Sequence, residues 1–334
     1  MNCLVIGGTG YIGRALVAAL LKEEHSVTVL HRRAGHDLGR RVANIAADRN
    51  DAPALKTALA GKKFEVVFDN VYDWERGTTA SHVESSARAV GDHLSRYIFI
   101  SSVAAYGDGL NHHEGDALAP DDAPELYVRN KAMSERALFR LRQRIGLPVV
   151  TLRPPYVYGP GKNNPYYREA FFWDRLRAGR SIILPGDGRR LMQFIYLKDL
   201  VRTALKVMAE PAAVGHAFNV ANPRPISQCE AVEAFAKAAS KPVNIVRIPR
   251  EYILRVGGHP MGPKLYFGVY FDMPPITQIT AKIQRVLKFK PTDFLMGLTE
   301  TYRWYLRHNE FPKPDFAFED ALLAQAPRLM AAKV

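Results

Sequence analysis

The chain opens with an apolar run that enters a knot of glycines, Leu4-Val-Ile-Gly-Gly-Thr-Gly-Tyr-Ile-Gly13, and an amphipathic helical pattern follows at once. The glycines read in two frames. Gly7, Gly10 and Gly13 give G-x-x-G-x-x-G, whereas Gly8, Gly10 and Gly13 give G-x-G-x-x-G. Residues without a Cβ allow a strand to turn sharply into a helix and an anion to approach the backbone. The helix expected over Tyr11–Lys22 would aim its free N–H groups and positive dipole end at that anion. A strand before and a helix after the turn are the context of a dinucleotide site. Gly7, Gly10, Tyr11, Ile12 and Gly13 are its candidate contacts. A glycine-rich turn in some other α/β fold is the alternative.

The pattern continues as alternation. Strands are expected at Ser26–Leu30, Val42–Ala47, Phe64–Asp69, Tyr97–Ser101 and Pro148–Leu152, from their β-branched and apolar runs. Helices are expected at Ala52–Ala60, Thr79–His93 and Glu125–Ile145, the last stopped by Gly146 with Pro148 beyond it. Strands alternating with helices imply a parallel sheet with right-handed crossovers. From Pro154 the chain becomes rich in Pro, Gly and aromatics. Helices are expected at Tyr166–Ala178, Leu197–Met208, from the capping box Ser227-Gln-Cys-Glu230 to Ala239, around Thr277–Leu287 and at Asp293–Arg307. Short strands fit Ser181–Leu184, Gln193–Ile195 and Ala217–Val220, the last able to return to the main sheet. The expected fold is α/β, a Rossmann-type doubly wound parallel sheet with a smaller, interleaved α/β substrate-binding region. The expected division is 1–153 for dinucleotide binding, 154–310 for substrate, and 311–334 as a tail that packs or frays.

Composition narrows the class. The 334 residues carry 46 Lys and Arg against 33 Asp and Glu, a net charge of +13. That charge invites nucleic acid, but the basic residues are scattered rather than massed, so an anionic cofactor and a solvated surface are favoured over RNA or DNA. No apolar run approaches the ~20 residues of a membrane span, and no signal segment precedes the first strand, so the expected location is cytoplasmic. Cys3 and Cys229 lack metal-ligand spacing, and the scattered histidines add none, so no metal and no disulfide are expected.

Ligands of parallel sheets sit at the carboxyl ends of the strands. The strand ending near Ser101 delivers Ser101-Ser-Val-Ala-Ala-Tyr-Gly107, and the long helix carries Tyr127-Val-Arg-Asn-Lys131. Tyr127 and Lys131 at i and i+4 share a helix face. A phenol is a poor acid or base near neutrality, and an adjacent ammonium stabilises its phenolate. A serine hydroxyl could hold the substrate oxygen while the proton moves. A second Tyr-x-x-x-Lys, Tyr158-Gly-Pro-Gly-Lys162, contains two glycines and a proline and cannot form one helix face.

These residues give the chain a resemblance to the extended short-chain dehydrogenase/reductase superfamily, the NAD-dependent epimerases and dehydratases. It runs through the glycine turn, Ser102 before Tyr106-Gly107, Tyr127 and Lys131, Arg153-Pro-Pro-Tyr-Val-Tyr-Gly-Pro160, Phe194-Ile-Tyr-Leu-Lys-Asp199 and Gly297-Leu-Thr-Glu-Thr-Tyr-Arg-Trp-Tyr305. The resemblance implies an enzyme that transfers hydride at a carbon–oxygen centre with NAD(H) or NADP(H). It places the catalytic serine at Ser102, makes Tyr127 the acid/base, and has Lys131 also hold the nicotinamide ribose. It implies an adenine contact at Asp48 and a homodimer built on the helices at Thr79–His93 and Glu125–Ile145.

The departures bear on cofactor and substrate. Where enzymes that prefer NAD usually carry an acidic residue after the second strand, this chain reads His31-Arg32-Arg33. A guanidinium suits a phosphate, so NADP(H) is favoured, with NAD(H) as the alternative. Sugar-nucleotide relatives tend to have Asn at the place of Tyr156 and a diphosphate-gripping Arg at that of Met192. Arg189 or Arg190 could stand in for the latter. Tyr156 and the aromatic runs at Tyr158, Tyr166, Tyr167, Phe171–Trp173, Tyr266, Phe267, Tyr270 and Phe271 fit either core packing or a pocket for a partly aromatic substrate. The leading expectation is a reductase or dehydrogenase acting on a small-molecule ketone or secondary alcohol. A nucleotide-sugar epimerase or dehydratase is the first alternative, an RNA-binding member of the same fold the second.

Overall fold

The computed structural model describes residues 1–91, 93–162, 168–308 and 314–331. The expected aromatic positions Tyr166 and Tyr167 lie outside them. The chain divides into two compact units that interleave in sequence. One holds Met1–Val157, Phe194–Pro223 and Ile276–Pro291; the other holds Tyr158–Gln193, Arg224–Pro275 and Thr292–Val334.

The first unit is built on a seven-stranded sheet. Its first five strands are β1 (Asn2–Ile6), β2 (Ser26–His31), β3 (Val42–Ala46), β4 (Val66–Asp69) and β5 (Arg96–Ile100). The order across the sheet is His216–Asn219, Val149–Arg153, β5, β4, β1, β2, β3, and every pairing is parallel. The helices between them are α1 (Tyr11–Lys22), α2 (Ala52–Leu59), α3 (Ala80–Ala89) and α4 (Leu126–Ile145).

Strand alternation explains why the sheet is covered on both faces. In β1, Cys3 and Val5 join a core that includes Leu16, Val17 and Leu20 of α1 and Leu200, Ala204 and Val207 of the helix Leu197–Ala209. Leu4 and Ile6 join a second core with Leu55 and Leu59 of α2, Val83 and Ala87 of α3, and Leu138 and Leu141 of α4. Successive side chains point to opposite faces, so a strand apolar throughout must be buried twice. The chain leaves β3 and returns on the other side of β1 as β4, which makes the carboxyl ends of β1 and β4 the switch point where a ligand can sit. The strand His216–Asn219 does return to the sheet, at the edge beside Val149–Arg153.

Three elements differ from expectation: the helix expected over Thr79–His93 ends at Ala89, the strand expected at Gln193–Ile195 is two strands, Leu191–Met192 and Phe194–Tyr196, and the third changes type. The stretch expected as a helix over Thr277–Leu287 begins as a strand, Ile276–Gln278, paired with Gly109–His112, and becomes helical only at Ala281–Leu287. Gln278 is buried there, its Nε2 donating to the Arg153 carbonyl at 2.9 Å, and the strand forms a two-stranded sheet of its own with Gly109–His112.

In the second unit, Ile182–Pro185 pairs in parallel with Ile245–Ile248, and Leu191–Met192 pairs antiparallel with Ile226–Ser227. The capping box is present, with Ser227 and Glu230 exchanging bonds at the start of the helix Gln228–Ala238. The Ser227 N–H, then Arg224, hold the Glu230 carboxyl down at about 2. Phe171, Phe172, Trp173, Tyr266, Phe267 and Phe271 are all buried, and Phe172 stacks on Phe235 at 4.7 Å. Of the two options the sequence leaves open, these six side chains take core packing, while Tyr270 beside them is half-buried. The tail packs as well. The helix Ala317–Ala331 buries Leu322 and Ala326, and its Glu319 pairs with buried Arg175. Among the described residues, no helix is long and apolar enough to cross a membrane.

Candidate active site

The glycine turn forms a cradle. Gly7 adopts φ +84°, a conformation in which a side chain is strained. A Cβ on Gly13 would lie 2.1 Å from the Gly7 carbonyl oxygen, and one on Gly8 would lie 2.3 Å from Val29 Cγ1. The two sequence frames therefore describe one turn: Gly7 bends it, Gly8 packs it on β2, and Gly13 brings α1 against it. Gly10 is the N-cap of α1; no side chain caps it and the first turn holds no acidic residue. Uncapped N–H groups in such a setting fit a pyrophosphate, so the residues present suit a dinucleotide. Tyr11 is buried and Ile12 half-buried at the start of the helix.

The candidate catalytic groups gather at the end of β5. Ser101 and Ser102 follow the strand and point to different partners. Ser101 donates to buried Glu135. Ser102 caps the short helix Val103–Tyr106, its Oγ accepting the Ala104 N–H at 3.1 Å. Ser101 is thus tied into the interior, whereas Ser102 is half-buried beside it.

Lys131 is buried on α4 and donates to the Ile100 carbonyl at 2.9 Å. Its ammonium lies 4.8 Å from the Phe99 ring centroid, 5.8 Å from that of Tyr127 and 5.9 Å from that of Tyr72. The i, i+4 pairing of Tyr127 and Lys131 is therefore realised on one helix face. Burial lowers the ammonium's pKa to about 8; Asp69 and Glu135 oppose that shift and Arg49 assists it. The folded-state pKa lies below the unfolded one, so the unfolded chain binds more protons between about pH 8 and pH 10.5, and stability rises with pH across that window. Burying the charge costs about 3 kcal/mol below pH 8, and the Ile100 bond returns about 1 kcal/mol of it. Lys131→Met is expected to be roughly 2 kcal/mol more stable than the wild type at pH 7. That advantage should shrink as pH rises above about 8. Urea unfolding at several pH values measures it; a variant no more stable than wild type at pH 7 would contradict the assignment of a strained buried charge.

Around Tyr127 the structure adds groups that the sequence did not single out. The Trp74 ring stacks on the Tyr127 ring at 4.8 Å and 22°, and Tyr72 meets it edge-on at 4.8 Å. The Tyr72 hydroxyl accepts from Asn130 Nδ2 at 3.1 Å. Trp74 is 64% exposed, unlike the aromatics of the second unit. Nothing in a loop reading Tyr72-Asp73-Trp74 signals this; the signal is a large apolar side chain left in water beside a polar helix face.

At the other end of the cradle stand His31, Arg32 and Asp48. The His31 ring is half-buried, its Nδ1 accepting the Arg33 N–H at 3.3 Å, and burial lowers its pKa. Arg32 is 63% exposed and reaches Asp73 at 3.4 Å. Asp48 accepts from the Asn50 N–H at 2.9 Å and from Arg76 at 2.7 Å. Its carboxylate is thus engaged by this chain rather than presented alone. Tyr156 is half-buried, with its ring 5.7 Å from that of Phe194. Arg189, in the second unit, is 88% exposed at the side chain and stands 4.0 Å from Asp187, while Arg190 donates to the Asp272 carbonyl at 2.7 Å. Tyr158, half of the second Tyr-x-x-x-Lys, lies buried in a strand, as its glycines and proline require. No cluster of metal ligands occurs among the described residues.

The sequence of residues 3–221 matches the model of the NAD dependent epimerase/dehydratase family. The chain belongs to that family. Within it the chain is an enzyme of the extended short-chain dehydrogenase/reductase type, and its sheet is that of the family's solved members. A chloroplast stem-loop binding protein of Arabidopsis thaliana is 30% identical, over 96% of this chain and 84% of its own. A 2-alkyl-3-oxoalkanoate reductase of Stenotrophomonas maltophilia is 27% identical over 72% and 77%. The fold is similar to that of a UDP-glucuronic acid 4-epimerase from Bacillus cereus, solved with UDP-glucuronic acid and NAD. The TM-score is 0.71 at 19% identity, covering 92% of this chain and 99% of that one.

Proposed function

We propose that this family member catalyses reversible hydride transfer at a ketone or secondary alcohol of a medium-sized small molecule, with NADP(H) preferred over NAD(H). The observation that carries the reading is the buried Lys131 ammonium, 5.8 Å from the ring centroid of Tyr127 on one face of α4. A buried cation costs stability, and a positive charge beside a phenol favours the phenolate, so the cost is accounted for if Tyr127 exchanges a proton. In this reading Gly7, Gly10, Tyr11, Ile12 and Gly13 hold the pyrophosphate. His31, Arg32 and Asp48 attend the adenosine end, and Lys131, with donors beyond the one given to Ile100, attends the nicotinamide ribose. When bound, the cofactor supplies the hydride acceptor or donor. Ser102 orients the substrate oxygen, and Tyr127 gives or takes its proton at the phenolic oxygen. Tyr156 and Arg189 are proposed on the substrate side, residues 154–310 as the substrate region, and a homodimer through α3 and α4. The burial of Phe171–Trp173, Tyr266, Phe267 and Phe271 withdraws one support for an aromatic substrate; half-buried Tyr156 and exposed Trp74 remain as aromatic candidates.

Two other readings each have an observation behind them. The similar fold solved with UDP-glucuronic acid supports a nucleotide-sugar epimerase or dehydratase, which shares the first hydride step. The plant relative's name and the +13 charge support RNA binding. Thermal unfolding with added ligand separates them, since a ligand that binds the folded state raises the midpoint. NADPH is expected to raise it, with UDP, dTDP and GDP giving no shift. A shift with a nucleoside diphosphate favours the sugar-nucleotide reading. No shift with either dinucleotide, together with salt-sensitive binding of a stem-loop RNA, favours the RNA reading.

A further inference from the structure

At the adenosine end of the cradle, side chains come from three strand ends. Arg32 follows β2, Asp48 lies beyond β3, and Asp73 and Arg76 lie on the loop leaving β4. His31 and Ala46, the last residues of β2 and β3, are register partners. Arg76 occupies the space between two carboxylates. One of its terminal nitrogens is 2.7 Å from Asp48 Oδ2 and 2.6 Å from Asp73 Oδ2, and its Nε is 2.9 Å from Asp73 Oδ2. The other Asp73 oxygen accepts the N–H groups of Glu75 and Arg76, each at 3.0 Å. Those bonds, the Arg76 N–H foremost, hold the Asp73 carboxyl below the usual range, so it is ionised at neutral pH. Arg32 meets this group only at its edge, 3.4 Å from Asp73.

The arrangement has two opposed halves. Enzymes of this fold that take NAD offer the ribose hydroxyls a carboxylate at the end of the second strand, where this chain has His31-Arg32-Arg33, and its carboxylates stand on the neighbouring strand ends instead. Such carboxylates repel a 2′-phosphate. Here Asp48 and Asp73 are present, yet both spend an oxygen on Arg76. With Arg76 counted, the three groups carry a single net negative charge, and exposed Arg32 balances it. We propose that Arg76 determines 2′-phosphate specificity: it occupies and neutralises Asp48 and Asp73, leaving the Arg32 guanidinium to meet the phosphate. The proposal rests on the NADP(H) reading above and adds Arg76, a residue that no sequence motif marks.

Calorimetric titration of the protein with adenosine 2′,5′-bisphosphate and with 5′-AMP, at low ionic strength, tests it without a substrate. The wild type should prefer the bisphosphate, and Arg32→Ala should erase the preference. Arg76→Ala should weaken the bisphosphate by about tenfold, since two carboxylates are then uncompensated, and leave 5′-AMP within about twofold. Adding Asp73→Asn, which removes the carboxylate beside Arg32 and keeps an acceptor for the loop N–H groups, to Arg76→Ala should restore much of the lost affinity, which a collapsed loop would not allow. A wild type without preference, or an Arg32→Ala variant that keeps it, overturns the NADP(H) reading and the inference with it. An effect of Arg32→Ala alongside an unchanged preference in Arg76→Ala overturns only the role of Arg76. So does a loss that Asp73→Asn leaves unrepaired.

Discussion

Replacing Tyr127 by Phe is expected to lower turnover by roughly a thousandfold while leaving dinucleotide affinity within about twofold of wild type. The magnitude is that of removing one positioned proton donor or acceptor. The separation of effects follows from the surroundings. The Phe ring keeps the stacking on Trp74 at 4.8 Å and the edge contact of Tyr72, so the face of α4 is preserved. The glycine cradle stands on β1 and α1, which Tyr127 does not build. The measurement is nicotinamide absorbance across a panel of ketones, secondary alcohols and nucleotide sugars, with calorimetry for the dinucleotide. A Tyr127→Phe enzyme that turns over a wild-type substrate at an undiminished rate would sink the acid/base role. Lys131→Met provides a second axis, because it should lose activity while gaining stability. A residue that serves packing would lose both together.

The legible parts of this chain are those fixed by local periodicity. The glycine turn, the five strands through Ile100 and the helix carrying Tyr127 each declare themselves within a short window, and their ends shift by at most two residues in the structure. The proposal of Ser102 rather than Ser101 rests on the resemblance; in three dimensions Ser101 is bonded to Glu135, a contact between residues 34 apart that no short window of sequence shows. The aromatic runs of the second unit could not be sorted into core or pocket, because burial is a property of the whole fold. Trp74 and Arg76 were missed for a related reason. Their loop has no periodicity, and their partners, Tyr127 and Asp48, lie far off in the chain. Thr277 and Gln278 read as the start of a helix because the strand they belong to and its partner, Gly109–His112, are both too short to declare themselves.

The same long-range logic makes Glu135→Ala the substitution expected to destabilise the fold most. Glu135 is fully buried on α4 and receives Arg153 at 2.7, 3.0 and 3.1 Å. Arg153 in turn donates to the Tyr106 hydroxyl at 2.6 Å, and that hydroxyl donates to Asn219 at 2.7 Å. Burial pushes the Tyr106 hydroxyl up to about 12, against the pull of Arg153, so it stays a donor at any ordinary pH. The network joins β5, α4, the strand Val149–Arg153 and the edge strand His216–Asn219 just behind Ser101 and Ser102. Removing the carboxylate leaves a guanidinium with no counter-charge in the interior, a loss of about 3–5 kcal/mol. Urea unfolding should show it. Exchanging both partners, as Glu135→Leu with Arg153→Met, should cost much less than Glu135→Ala alone, because no uncompensated charge remains. If the double variant keeps its fold, its Ser101 hydroxyl loses the Glu135 acceptor and the turn bearing Ser102 loses its anchor. Turnover should then fall even where stability is recovered. A double variant as active as wild type would show that the network holds the sheet together without positioning Ser102.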